Sequence, residues 1–271
     1  MRKPLLQIGI ILITLILTTC TDNSAKSEKL ASNLIDPDAN KETINLYNKL
    51  KEMSSQSLMF GMHDAIGYGV GWNNDDRRSD VKDVCDDYPA VFSWDAMAIL
   101  DGGNSTDRLK DKVRFVYNSG GINTICWHFR DPVKHSFYAD NIDYEVVTSI
   151  LPGGRHHDFY KESLIKIASF AYEARGTGGE LVPIIFRPYH EQNGSWFWWG
   201  KGHRTEQQYI ALWQFTVNYL RDTLNVHNFI YAFSPDGNQW NNKEEYLTDY
   251  PGDDYVDMVG FDFYFPNGNA A

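Results

Sequence analysis

Leu181-Val182-Pro183-Ile184-Ile185-Phe186-Arg187-Pro188-Tyr189-His190-Glu191-Gln192-Asn193-Gly194-Ser195-Trp196-Phe197-Trp198-Trp199-Gly200 runs from a short apolar segment straight into a polar and aromatic tail. Residues 181–186 read as a buried strand, apolar throughout and too short for a helix. Pro188 favours an extended Arg187 and ends the strand, which places His190 and Glu191 at its rim. A strand whose C-terminal end carries a histidine, a carboxyl and a run of indoles is expected to face a site.

The same design repeats along the chain. Residues 58–61, 90–94, 122–127, 229–233 and 256–261 also read as buried strands, and 105–117, 157–174 and 205–220 as amphipathic helices. Strands alternating with helices predict βαβ units and a mostly parallel sheet. Polar residues crowd every strand's C-terminal end: His63-Asp64, Trp94-Asp95, Trp127-His128, Arg187 to Glu191, Ser234-Pro235-Asp236 and Asp262 to Tyr264. A doubly wound sheet would concentrate function at one crevice. Contributions from every strand end fit a (β/α)8 barrel, whose active site lies on that face. Six strand signals are found from Leu58 onward, so the expectation is a barrel with about six of its eight βα units.

The N-terminus reads as an address. Arg2 and Lys3 precede an uncharged apolar run from Leu5 to Leu17, the layout of a secretory signal peptide over residues 1–19. That run is shorter than the ~20 residues needed to span a bilayer. Cys20, after Leu17-Thr18-Thr19, resembles the lipidated cysteine of a bacterial lipobox; the alternative is an ordinary signal peptide with an incidental cysteine. Residues 20–40, rich in Ser, Asp, Asn and Lys, are expected to form a flexible tether from a lipid anchor in the cell envelope to a domain over 41–271. Removing Arg2 and Lys3 takes the formal charge from −11 to −13. So acidic a chain, without a basic cluster, is not a nucleic-acid binder. Cys85 and Cys126 set no disulfide framework, and pairing or two free thiols both stay open.

A carboxyl beside a histidine and before an aromatic cluster suits carbohydrate chemistry. Indole faces stack on the apolar faces of sugar rings, and their N–H groups reach hydroxyls. Partial burial of Glu191 among those rings would raise its pKa, as a proton donor near neutral pH requires. The plainer alternative makes Glu191 the ion-pair partner of Arg187 and the tryptophans core. His156-His157-Asp158 and His63-Asp64 do not have strong zinc-site spacing, so no catalytic metal or cofactor is expected. No Gly-x-Ser-x-Gly elbow supports a serine triad.

On these residues the chain resembles glycoside hydrolase family 26, mainly endo-β-1,4-mannanases, whose signature is Arg-Pro-x-His-Glu-x-Asn-Gly-x-Trp-x-x-Trp-Gly. Phe60 to Asp64 with Tyr68 to Trp72, Ser79 to Cys85 with Pro89 to Val91, Trp127-His128 and Gly260 to Tyr264 extend the likeness from about Asn45 to the last residue. The resemblance implies hydrolysis of β-1,4-mannosidic bonds in mannan with retention. It makes Glu191 the general acid/base and gives His190 and Arg187 the tasks of orienting the sugar and holding the opposing carboxylate ionised. Trp196 becomes a platform near the cleaved bond, and His128 and Tyr264 line the seat of the sugar that becomes covalently bound. Trp72 and Trp94 are looser candidates for the cleft wall. Gln192 stands where the family commonly has Met.

Retention needs a second carboxylate roughly 5–5.5 Å from the first. The family places it on a glutamate ending the seventh strand, and no glutamate follows Glu245. The nucleophile is therefore expected beyond Ala271, and the chain as given is expected to be inactive alone. Two rivals remain: a non-catalytic mannan-binding lipoprotein, and the same fold acting on another β-glucan or on β-1,3-xylan.

Overall fold

The computed structural model describes residues 33–265; the leader, Cys20 and the first part of the tether lie outside them. Six parallel strands form one sheet in chain order: β1 (Gly61–His63), β2 (Val91–Asp95), β3 (Ile122–Trp127), β4 (Ile184–Pro188), β5 (Phe229–Phe233) and β6 (Met258–Val259). Each pairs only with its sequence neighbours, through registers such as Val91↔Ile122, Ile184↔Phe229 and Ala232↔Met258. Helical crossovers between adjacent parallel strands make this the wall of a (β/α)8 barrel, with six of its strands described.

Alternation along the strands sorts their side chains. Ile184 and Phe186 of β4, with Phe229, Tyr231 and Phe233 of β5, join the large core between sheet and helices. Ile185, Ile230 and Ala232 turn to the other face, where Leu34, Ala39 and Ile44 complete a smaller core. Arg187 and Ser234 continue this inner face by the same period of two, so the alternation that buries the floor also aims polar groups at the mouth. Outside the sheet lie α2 (Gly103–Asn118), α3 (His157–Glu173) and α4 (Glu206–Asn218), following α1 (Lys41–Met53) in the chain. A capping box between Thr205 and Gln208 starts α4.

Three expectations are corrected. The tether does not extend to Asn40: Leu34, Asp36 and Ala39 are buried. Ile35 N donates to Asp257 Oδ1 at 2.7 Å, and His227 meets Asp36 Oδ2 at 2.9 Å. Asn40 then caps α1, its Oδ1 accepting from Thr43 N at 2.8 Å. The first strand begins at Gly61 rather than Leu58, which is 98% exposed. The fourth begins at Ile184, since Pro183 has no N–H for the ladder, and extends to Pro188. Among the described residues β1 and β6 each have one neighbouring strand, and Leu58, Phe60, Val259 and Phe261 around them are exposed.

Candidate active site

The turn after β4 holds an unusual backbone. Tyr189 and Glu191 both adopt left-handed conformations, φ 50° and 55°. Such a conformation costs a residue with a side chain on the order of 1–3 kcal/mol. The surroundings supply the compensation. Glu191 N donates to Ser234 O at 2.8 Å, Trp199 Nε1 to His190 O at 2.8 Å, and Tyr209 OH to Tyr189 O at 3.0 Å. Arg204 donates to Gln192 O at 2.9 Å and Trp199 O at 3.0 Å, while a bidentate ion pair at 2.6 and 2.7 Å fixes its guanidinium to buried Asp249. Asn193 and Asp236 exchange two further bonds, 2.9 and 2.8 Å. The turn is therefore clamped from both flanks, and its one outward product is the Glu191 carboxyl.

Glu191 as a whole is 5% exposed. Trp196 Nε1 donates to Oε2 at 2.8 Å and Tyr264 OH to Oε1 at 2.5 Å. Burial raises its pKa above the ordinary glutamate value; the bond from Tyr264 pulls the other way without cancelling the rise. This is the direction expected from the sequence. Arg187 is not its ion-pair partner: the guanidinium donates to Asp262 Oδ2 at 2.6 Å and Ser234 Oγ at 3.3 Å, and Ser234 Oγ donates to the same Asp262 oxygen at 2.8 Å. The carboxylate that Arg187 holds among the described residues is thus Asp262.

A second group stands beside it. His128 Nδ1 lies 2.8 Å from Asp95 Oδ2, which fixes the ring. Burial pushes the Asp95 carboxyl upward, but bonds from His128 and Met97 N hold it below its ordinary value. His190, 4% exposed, meets the His128 ring edge to face at 4.7 Å between centroids. Burial first, then the Arg187 charge, pushes the His190 pKa well below its usual range, so the imidazole is neutral. Its Nδ1 is buried and has no hydrogen-bond partner among the described residues. Cys126, buried below His128, is pushed up to about 12 and remains a thiol. Cys85 is exposed, and neither cysteine is paired.

The aromatic run divides by burial. Trp198 and Trp199 are core at 2% and 0% exposure, with Phe197 stacked on Trp199 at 4.5 Å. Trp196 stays half-buried with its N–H on Glu191. Trp72 is corrected: it is buried in the hairpin of Tyr68–Gly69 and Trp72–Asn73, and its N–H goes to Asp80 at 2.5 Å. It shares no hydrogen bond or ring contact with the Glu191 group among the described residues, because it serves to pin that hairpin. Trp94 is core too, bonded to Asn123 at 2.8 Å and stacked on Phe92. Sequence reasoning passed over Asp95 and Asn193. Asp95 had a signal, its place at a strand end, but its pairing with His128 across 33 residues appears only on folding.

Residues 35–271 match the model of glycosyl hydrolase family 26. A mannan endo-1,4-beta-mannosidase of Bifidobacterium adolescentis is 36% identical over 248 residues, covering 88% of this chain and 24% of the relative. Among solved structures, GH26C of Muricauda sp. MAR_2010_75 superposes with a TM-score of 0.81 at 42% identity, over 85% of this chain and 65% of that one. The catalytic domain of the Bacillus sp. JAMB-750 GH26 endo-beta-1,4-mannanase gives 0.84 at 38% identity, over 90% and 66%. The chain thus spans just under two thirds of these two structures and about a quarter of the curated relative. With its barrel wall, its Arg-Pro-x-His-Glu turn and a match over nearly its whole length, this chain belongs to glycosyl hydrolase family 26.

Proposed function

We propose that the protein hydrolyses internal β-1,4-mannosidic bonds of mannan with retention of configuration, Glu191 serving first as acid and then as base. One observation carries the reading. A nearly buried carboxyl with a raised pKa touches both the half-exposed indole of Trp196 and the phenol of Tyr264. Tyr264 can donate to the carboxylate or accept from the carboxylic acid, so its hydroxyl serves Glu191 in both halves of the reaction. The relatives named as mannan endo-1,4-beta-mannosidases favour mannan as the polymer.

In this account the indole of Trp196 supports the sugar beside the cleaved bond, and His128, held by Asp95, meets hydroxyls of the sugar that is attacked. Asp262, whose Oδ2 accepts from Arg187 and Ser234, is given a structural place rather than the nucleophile's. The nucleophile's role is left to a second carboxylate outside the described residues. We also propose that the protein sits in the cell envelope, anchored through lipidated Cys20; Cys20→Ala should move it from the membrane to the soluble fraction.

The test is Glu191→Gln in the full-length protein. Turnover of mannan should fall by about 10²–10⁴-fold, the usual worth of a general acid–base group, with manno-oligosaccharide binding retained. Near-normal turnover would refute the assignment.

A further inference from the structure

Cys126 takes no part in the reaction proposed above, yet it sits among the groups that hold the sugar seat. It lies directly across from Asp95 in the register of β2 and β3, and two residues before His128, so strand alternation turns both side chains to one face. The thiol sulfur, an Asp95 carboxylate oxygen and a His128 ring nitrogen all lie within 4.8 Å of one another. The thiol's contact with protein is weak, 3.5 Å to Trp94 O. A cavity of ≈ 220 Å³ opens on the Asp95 side of this group, its wall including His63, Asp64, Trp94, Asp95, Arg108 and Lys112. Asp64 pairs with Lys112 at 3.0 Å and compensates that charge, while Arg108 adds a second cation to the wall.

We propose that Asp95, Cys126 and His128 form a binding site for a soft divalent cation, Zn²⁺ or its surrogate Co²⁺, whose occupation blocks sugar binding. One sulfur, one imidazole nitrogen and one carboxylate oxygen are the donors zinc prefers, and three protein ligands leave a fourth position for water. With Zn–S about 2.3 Å and Zn–N about 2.0 Å, ligand atoms come to about 3.3–3.8 Å apart, so the thiol has to draw in by about 1 Å while His128 and Asp95, joined at 2.8 Å, open slightly. On binding, Sγ–H is replaced by the metal–sulfur bond and its proton passes to solvent. Nothing is oxidised. The site stands on geometry alone; the inhibition rests on the assignment of His128 to the sugar seat.

Two readouts keep these apart. Co²⁺ is titrated into the full-length protein with every cysteine except Cys126 changed to alanine. A near-ultraviolet cobalt–thiolate charge-transfer band saturating at one equivalent is expected, and Cys126→Ala should abolish it with an unchanged far-ultraviolet circular dichroism spectrum. Absence of the band, or its survival in Cys126→Ala, overturns the site. Should Cys126→Ala misfold, X-ray absorption at the zinc edge of the parent decides: one sulfur neighbour supports the site, and a shell of only nitrogen and oxygen overturns it. Zn²⁺ at ten times its Kd should then weaken manno-oligosaccharide binding about elevenfold by mass action, reversibly with a chelator and not in Cys126→Ala. A bound metal that leaves this affinity unchanged overturns the inhibition. Failure to bind manno-oligosaccharide without metal would contradict the proposed function instead, while the cobalt band still decides the site.

Discussion

Tyr264 and Glu191 stand 73 residues apart in sequence and meet at 2.5 Å, the phenol donating to Oε1. The contact joins the rim of the sixth strand to the turn after the fourth. It also lowers the proton affinity of the carboxyl against the larger, opposite effect of burial, since donation to the charged form favours that form.

Removing the donor should therefore raise the Glu191 pKa further above its ordinary value. In Tyr264→Phe the alkaline limb of the pH profile of kcat/KM, where the acid loses its proton, moves to higher pH. Trp196→Phe moves it the same way but less, since Tyr264 has the larger influence of the two. A limb shifted to lower pH in Tyr264→Phe would contradict this account.

Asp95 acts through His128. Asp95→Asn keeps the volume but turns an acceptor-only group into one that can offer an N–H to the ring, which changes the tautomer that His128 presents. Misplacement of a positioning group costs about 10²-fold, so kcat/KM on mannan should fall by that order. The ¹⁵N shifts of His128 should report the change. An unaltered kcat/KM would show that the pair is only structural.

Stability should carry a signature from the barrel floor. Burial, with repulsion from Asp36 adding to it, pushes Asp257 up to about 6 from 3.8, although amides of Tyr231 and Ile35 donate to it. Between those two values the folded protein holds a proton that the unfolded chain has released. Stability thus falls as pH rises through that window, by about 3 kcal/mol. Urea denaturation from pH 4 to 6 should show this slope, and Asp257→Asn should flatten it. A variant with the same slope would remove Asp257 from the explanation.

Much of this was legible in the residues. Ile122–Trp127 and Phe229–Phe233 were bounded to the residue, because a short, mainly apolar run between turn signals marks a buried strand. Glu191 was legible because Pro188 ends its strand and the indoles follow at once. What stayed hidden depends on packing between distant segments. Nothing local separates Trp196, which keeps a face open, from Trp72, which is spent on Asp80. Residues 34–40 look like linker by composition, and only the carboxylates and carbonyl of Asp257, Asp36 and His227 reveal that they are seated. Leu58 reads as strand by hydropathy, yet no neighbouring strand covers it among the described residues.

The most direct measurement compares two leaving groups in full-length Glu191→Ala. Mannan departs as an alkoxide and needs the proton; a dinitrophenyl β-mannoside departs as a stable phenolate and does not. Glycosylation by mannan should collapse by about 10²–10⁴-fold, while the burst of dinitrophenolate stays near the wild-type rate. Equal losses on both substrates, or none on either, would show that Glu191 does not hand its proton to the departing sugar.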